Sequence, residues 1–140
     1  MMKSFFKTET NSSYWHIILL IVRISVATLM ITHGYPKLTK LISGGDIHFA
    51  DPIGLGETTS FVLVVFAEFL CSVLIGIGLL TRLATIPLII NMSVIIFIVF
   101  GSDPIGKKES GILYLLIYLI LLVAGSGKFS LDYFMLGKKK

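Results

Sequence analysis

The sequence predicts an all-α integral membrane protein, a four-helix transmembrane bundle followed by a short C-terminal helix at the membrane interface. Two observations predict this class. Of the 140 residues, 55% are hydrophobic, and the mean hydropathy of +0.92 is well above that of a soluble domain. The apolar residues also fall into four runs, each near the length of about 20 residues that a helix needs to cross a bilayer. A chain of this size forms one domain.

The four runs set the predicted boundaries. Residues 1–13 are expected to be a polar cytoplasmic tail, residues 14–136 the single transmembrane domain, and residues 137–140 a basic tail. The helices are predicted over residues 14–34, 59–80, 83–100 and 111–124. Pro36 is expected to end the first helix, because proline disfavours the helical conformation of the residue before it. Ser130 is expected to cap the short interfacial helix.

The connection over residues 35–58 is long for a link between two helices, and loops of this length are usually functional or docked on the domain. Several of its residues are apolar, which predicts a lid that lies against the mouth of the bundle. Its polar residues Asp46, His48 and Asp51 weakly resemble metal ligands. Such residues in a glycine-rich loop more often form a solvated turn, so no metal site is predicted.

The distribution of basic residues predicts the orientation in the membrane. With four spans, one side collects seven basic residues, which are Lys3, Lys7, Arg82, Lys128 and the lysines at 138–140. The other side has four, Lys37, Lys40, Lys107 and Lys108. Because positive loops stay in the cytoplasm, both termini are predicted to be cytoplasmic. The net charge of +4 is therefore interpreted as a topology signal and not as a nucleic-acid surface.

Two ionisable residues lie near the middle of apolar runs, Arg23 in the first and Glu68 in the second. An ionisable group inside a bilayer is costly unless it has a partner, which makes it a candidate for function. The sequence predicts that Arg23 and Glu68 pair at the same depth. Such a pair is either a structural contact that fixes helix register or part of a catalytic site, and both interpretations stay open.

Four further polar residues are candidates for binding a ligand. His33 and Lys37 would present an imidazole and an ammonium group to an anion or a quinone carbonyl at the outer mouth, although an interfacial histidine at a helix end is the simpler interpretation. Asn91 and Tyr118 lie at mid-depth in the third and fourth helices. A tyrosine bonded to a neighbouring helix is the simpler interpretation of Tyr118.

Three segments carry a resemblance to a known family. They are HGYPKL at 33–38, AEFLCSVLIGIGLLTRLA at 67–84 and GSGKFSLD at 125–132. In this order they resemble the DoxX family of small bacterial inner-membrane proteins, although GSG stands where many relatives have G-P-G. The resemblance implies a four-helix membrane bundle and a link to thiosulfate:quinone and other membrane oxidoreductases. The residues that match the family's polar pattern are Arg23, His33, Lys37, Glu68, Arg82, Lys128 and Asp132.

Two classes of function follow from these observations. In the first, the protein is a membrane subunit of a quinone-linked oxidoreductase, with Glu68 and Arg23 as catalytic residues and His33, Lys37, Asn91 and Tyr118 as quinone-binding candidates. The single cysteine, Cys71, excludes an intrachain dithiol, and no dinucleotide fingerprint is present, so either a bound quinone or a partner, a redox protein or a second copy in a homodimer, is expected. In the second, the protein is a non-enzymatic scaffold or small-ligand carrier. A cavity that reaches Glu68 would favour the first class.

Overall fold

The computed structural model describes residues 12–137, which are mainly helical, so the predicted all-α class is confirmed. Helix α1 spans Ser12–Ser43, α2 Glu57–Ile77, α3 Thr81–Val99, α4 Ile105–Ala124 and α5 Leu131–Leu136. Helix α2 packs antiparallel to α1 and joins α3 through a short turn, and α4 packs mainly against α3.

Within the described residues, three helices are long and apolar enough to cross a membrane: α1, α2 and α3. Helix α4 has 20 residues, but Lys107, Lys108 and Glu109 lie in its first turns. Its uninterrupted apolar part therefore begins only at Gly111 and is short for a complete span. The membrane character of the chain is thus supported by three helices, and a fourth crossing stays a prediction.

Large apolar side chains cover the outer surfaces of the helices. Ile21, Phe97 and Val123 are 59%, 71% and 79% exposed, and many other large apolar residues are similarly placed. Contiguous apolar surface of this extent is unfavourable in water but suits contact with lipid. The interior of the bundle combines small residues with aliphatic ones, and it includes the buried free cysteine Cys71.

The close approach of α1 and α2 depends on glycine. A methyl group at Gly34 would lie 2.7 Å from the backbone carbonyl carbon of Glu68, and one at Gly76 would lie 3.3 Å from the Ala27 side chain. Small residues at both points let the two backbones come together, as in other membrane helix pairs. These contacts fix an antiparallel register in which Gly34 lies beside Glu68.

The prediction that Pro36 ends the first helix is wrong, because α1 continues through Pro36 to Ser43. Proline removes one backbone N–H donor, a loss that membrane helices tolerate when neighbouring elements hold the helix in place. Here the Lys37 side chain, one residue beyond the proline, is bonded to α2. The long connection is correspondingly shorter than predicted and covers residues 44–56.

Two π-helical segments interrupt the regular helices. Residues Phe66–Cys71 form one within α2, and Ile95–Val99 form the other at the end of α3. In a π segment the backbone hydrogen bonds span one residue more than in an α-helix, i→i+5, and such segments occur frequently at functional sites. The first is built around Glu68, so the backbone irregularity coincides with the buried carboxylate.

The Gly34 contact yields a test of the α1–α2 packing. We expect Gly34→Ala to lower the free energy of unfolding by about 1–3 kcal/mol, because the new methyl group overlaps the Glu68 backbone. Gly106→Ala is the matched control, since a methyl group there meets nothing within 4 Å. Thermal unfolding in detergent measures both variants. A Gly34→Ala protein as stable as Gly106→Ala would contradict this register.

Candidate functional site

The Glu68 carboxylate is the centre of the candidate site. Its side chain is 3% exposed. The Lys37 ammonium donates to Oε2 at 2.5 Å, and the Asn91 amide donates to Oε1 at 3.1 Å. Three helices, α1, α2 and α3, therefore each contribute one polar side chain. A charge-assisted hydrogen bond and a counter-charge compensate for the removal of the carboxylate from water.

The predicted pairing of Glu68 with Arg23 is wrong. The Arg23 guanidinium, 2% exposed, donates instead to the backbone oxygens of Ser126 at 2.5 Å and Phe129 at 2.8 Å. The cause is the register of α1 and α2. Glu68 lies beside Gly34, which is about 16 Å along α1 from Arg23 at 1.5 Å per residue.

Arg23 belongs to a second polar cluster, which anchors the C-terminal segment. The Asp132 carboxylate accepts hydrogen bonds from the backbone N–H groups of Leu80 at 2.7 Å and Thr81 at 3.0 Å, where α3 begins. Ser130 accepts from the N–H of Tyr133, so the predicted cap of α5 is confirmed. The cluster attaches residues 126–132 to the bundle, which gives Arg23 a structural position away from Glu68.

A cavity of about 330 Å³, the apolar cavity, reaches Glu68 from one side. Besides Lys37, Glu68 and Asn91, its wall is mainly aliphatic and aromatic and includes Leu63, Val64, Ile90, Val94, Ile95 and Phe100. Residues Phe49, Ala50, Pro52 and Ile53 of the 44–56 connection form part of the same wall. This placement agrees with the expected lid, because the connection covers a cavity whose inner end is polar.

A second cavity of about 410 Å³, the basic vestibule, reaches Lys37 and Glu68 from another side. Its polar lining consists of His33, Lys37, Glu68, Lys107, Lys108, Ser110 and Tyr114. His33 and Lys37 therefore share one cavity, as the sequence indicated. The His33 ring meets the Tyr114 ring edge-on, with 6.3 Å between their centroids. The Lys37–Glu68 ion pair thus lies in the walls of both cavities.

Tyr118 is completely buried beneath Tyr114, and their stacked ring centroids are 6.2 Å apart. The Ser72 hydroxyl is also buried. Neither hydroxyl makes a hydrogen bond of normal geometry among residues 12–137. This burial indicates that Tyr118 packs the core below the vestibule and does not present a surface that a ligand reaches directly.

The three polar residues of the connection do not act together. Both carboxylate oxygens of Asp51 are engaged by the N–H groups of Leu55 and Gly56 and by the Ser60 hydroxyl, at 2.8–2.9 Å. His48 instead lies 3.8 Å from the exposed Glu57 carboxylate. In the described part of the chain no three histidine, cysteine or acidic side chains form a group able to hold a metal. Asp51 fastens the connection to the start of α2.

Sequence reasoning selected Lys37 but missed its partner, although a signal was present. Gly34 and Lys37 are three residues apart, so they share a helix face. A glycine on that face marks where the backbone of another helix approaches, and the neighbouring lysine then reaches that helix. This signal requires α1 to continue beyond Pro36, whereas the proline led to the prediction that the helix ends there.

These features define a class: an all-helical membrane-type protein with a buried, ion-paired carboxylate between two cavities. A family model described as DoxX matches residues 18–101. The match covers more than half of the chain and contains Lys37, Glu68 and Asn91. The chain belongs to the DoxX family. No curated protein and no solved structure matches it.

The bonds to Asp51 predict how the connection responds to pH. The Ser60 hydroxyl and then the Gly56 and Leu55 N–H groups lower the Asp51 pKa below its ordinary value of 3.8, because they favour the ionised carboxylate. The stabilisation is therefore complete above pH 3.8 and is lost as the pH falls through the lowered pKa.

We expect the Leu55 and Gly56 amides to stay equally protected from hydrogen exchange between pH 8 and pH 5, after correction for intrinsic rates. Asp51→Ala should abolish most of this protection over the same range, because the three donors lose their acceptor. Asp46→Ala is the control. Equal protection in the Asp51→Ala variant and the wild type would show that other contacts hold the connection.

Proposed function

We propose that the protein is a membrane subunit of a quinone-linked oxidoreductase system. The apolar cavity would take the quinone headgroup, with Lys37, Glu68 and Asn91 at its inner end. The observation that carries this proposal is a mainly apolar cavity that ends at a buried carboxylate with two adjacent hydrogen-bond donors. The family link to quinone-dependent systems, which the sequence resemblance implies, supports the same ligand.

The chemistry of the cavity suits such a ligand. A quinone ring is flat and apolar, and its two carbonyl oxygens accept hydrogen bonds. The Lys37 ammonium and the Asn91 amide each have N–H groups beyond those bonded to Glu68 and are able to donate to a carbonyl. A volume of about 330 Å³ lies at the lower end of the range for small-molecule sites.

The position of the cavity also suits a ligand from the membrane. Leu63 and Ile90 line the cavity and are also exposed on the outer surface of the bundle. That surface is the one expected to contact lipid. A quinone dissolved in the bilayer would therefore enter between α2 and α3 and would leave its apolar tail in the hydrocarbon.

The buried carboxylate supplies a means to move protons. Reduction of a quinone to a quinol takes up two electrons and two protons. In its neutral form Glu68 would donate a proton to the nearer carbonyl oxygen, and it would recover one from the basic vestibule, which it also lines. The electrons would come from a partner redox protein that oxidises the reductant, because the chain has neither a dithiol nor a dinucleotide fingerprint.

We propose different tasks for the earlier candidates. Lys37 and Asn91 belong to the proposed site with Glu68, and His33 lines the vestibule on its proton-supplying side. Arg23 is omitted, because its donors are occupied by the C-terminal segment. Tyr118 supports the site from the core.

The same proposal includes the arrangement in the membrane. We propose four spans in a bacterial inner membrane, with α4 as the fourth and both termini in the cytoplasm. The excess of basic residues at the two termini and the α2–α3 turn supports this orientation. The apolar cavity, which the 44–56 connection lines, and the basic vestibule, which the start of α4 lines, would then open toward the outer side.

A second candidate function is a ligand-binding protein or scaffold without electron transfer. The specific observation that favours it is the direct Lys37–Glu68 contact at 2.5 Å, which joins α1 to α2. Both candidates use the same apolar cavity. They differ in whether a bound quinone becomes reduced in membranes that contain the redox partner.

The proposed quinone site is tested by filling the cavity. Val64 lines it, whereas Val62, two residues away on α2, is exposed on the outer surface. We expect Val64→Trp to weaken binding of a short-chain quinone at least tenfold, because the indole occupies the space of the ring. Val62→Trp should bind as the wild type does, and fluorescence or equilibrium binding in detergent measures both.

Two results would contradict the proposal. The first is the absence of saturable quinone binding in the wild type. The second is equal binding by Val64→Trp and Val62→Trp, which would place the ligand elsewhere on the protein. Thermal unfolding of the two variants shows that each is folded before binding is compared.

A further inference from the structure

We propose that the basic vestibule binds the phosphate headgroup of an anionic phospholipid. The headgroup would lie between Lys107 and Lys108, with Ser110 and His33 as hydrogen-bonding neighbours, and an acyl chain would lie along the apolar part of the cavity. This inference concerns a different cavity and ligand from the quinone site and does not depend on it.

The charges of the vestibule favour an anion. Its lining includes three basic residues, Lys37, Lys107 and Lys108, and one acidic residue, Glu68. Glu68 is already bonded to Lys37, so this pair is neutral. The two remaining lysines give the cavity an excess of positive charge, which attracts a phosphate group at membrane surfaces.

Both of these lysines retain donors for a ligand. The Lys107 ammonium lies 3.5 Å from Asp103 in an exposed ion pair, which offsets its charge only weakly. The Lys108 ammonium donates to the Gly101 oxygen at 2.8 Å. An ammonium group has three N–H donors, so each lysine has at least one available for a phosphate oxygen.

The start of α4 adds to the attraction. Helix α4 begins after Pro104, and no side chain caps its N-terminus. The uncapped N–H groups and the helix dipole make this end positive. Lys107, Lys108 and Ser110 lie in the first two turns and line the vestibule, so the positive charge of this end of α4 reaches the cavity through their side chains.

The rest of the lining distinguishes a lipid from a free anion. Met30, Met92, Ile95 and Phe100 form an apolar wall that continues inward from the lysines. A small inorganic anion would use only the basic part of a cavity of about 410 Å³. A ligand with an anionic head and an apolar chain uses both parts. The charged first turns of α4 come directly before the apolar run of α4, so Lys107 and Lys108 lie at the level expected for lipid headgroups.

The experiment compares ligands and charge-matched variants in a neutral detergent. The thermal unfolding temperature of the full chain is measured during titration with phosphatidylglycerol, phosphatidylcholine or inorganic phosphate. We expect a saturable rise with phosphatidylglycerol and smaller changes with the other two. Lys108→Gln should weaken the apparent affinity for phosphatidylglycerol about fivefold, and the Lys107→Gln, Lys108→Gln double variant about thirtyfold.

Lys40→Gln is the control, because Lys40 lies over the Phe61 ring at 5.8 Å, outside the vestibule lining. It removes the same charge and should leave the affinity unchanged. Equal weakening by Lys40→Gln and Lys108→Gln would overturn the proposal in favour of general surface charge. An equal response to phosphatidylcholine, or to inorganic phosphate alone, would also overturn it.

The Val64→Trp variant separates this proposal from the proposed function. Val64 lines the apolar cavity and not the vestibule. The Val64→Trp variant should therefore lose quinone binding and keep its response to phosphatidylglycerol. Loss of both responses in Val64→Trp would show that the two ligands share a site, which contradicts a separate lipid site.

Discussion

The burial of the Glu68 carboxylate imposes requirements on three helices. A carboxylate removed from water needs a counter-charge and hydrogen bonds, and Lys37 and Asn91 supply them. Lys37 reaches Glu68 only because α1 continues past Pro36, and α1 comes near enough only because residue 34 is glycine. The Asn91 amide donates to the same carboxylate, which holds α3 against α2. Both cavities beside the ion pair are lined by Glu68 and Ile95, one residue from each π-helical segment.

The two buried charged residues within residues 12–137, Arg23 and Glu68, are separated in space and have different contacts. Arg23 has its guanidinium enclosed by backbone oxygens of the C-terminal segment, so it joins the end of the chain to α1. Glu68 has its carboxylate in the walls of two cavities, where a ligand and protons would reach it. The arginine that holds the C-terminal segment and the carboxylate that lines the cavities are therefore separate features of the structure.

Much of the fold follows from the sequence, because apolar runs and turn residues act locally. The runs indicated α1, α2 and α3 and the mid-depth candidates Glu68 and Asn91, whereas Lys37 was selected at the outer mouth, beyond the end of the first run. The pairing of Glu68 was not predictable from depth alone, since it depends on the register of α1 against α2. The helical path through Pro36 and the π segment around Glu68 are also set by contacts between helices. The role of Asp132 was not predictable either, because its bonds to Leu80 and Thr81 form only when the C-terminal segment folds against the start of α3.

The most direct test of this account is a pair of double-mutant cycles on the free energy of unfolding in detergent. One cycle combines Lys37→Met with Glu68→Gln, and the other combines Arg23→Met with Glu68→Gln. The account predicts a coupling energy of about 1–3 kcal/mol between Lys37 and Glu68, and additivity within about 0.5 kcal/mol between Arg23 and Glu68. A larger coupling of Glu68 to Arg23 than to Lys37 would contradict the arrangement on which the proposed site depends.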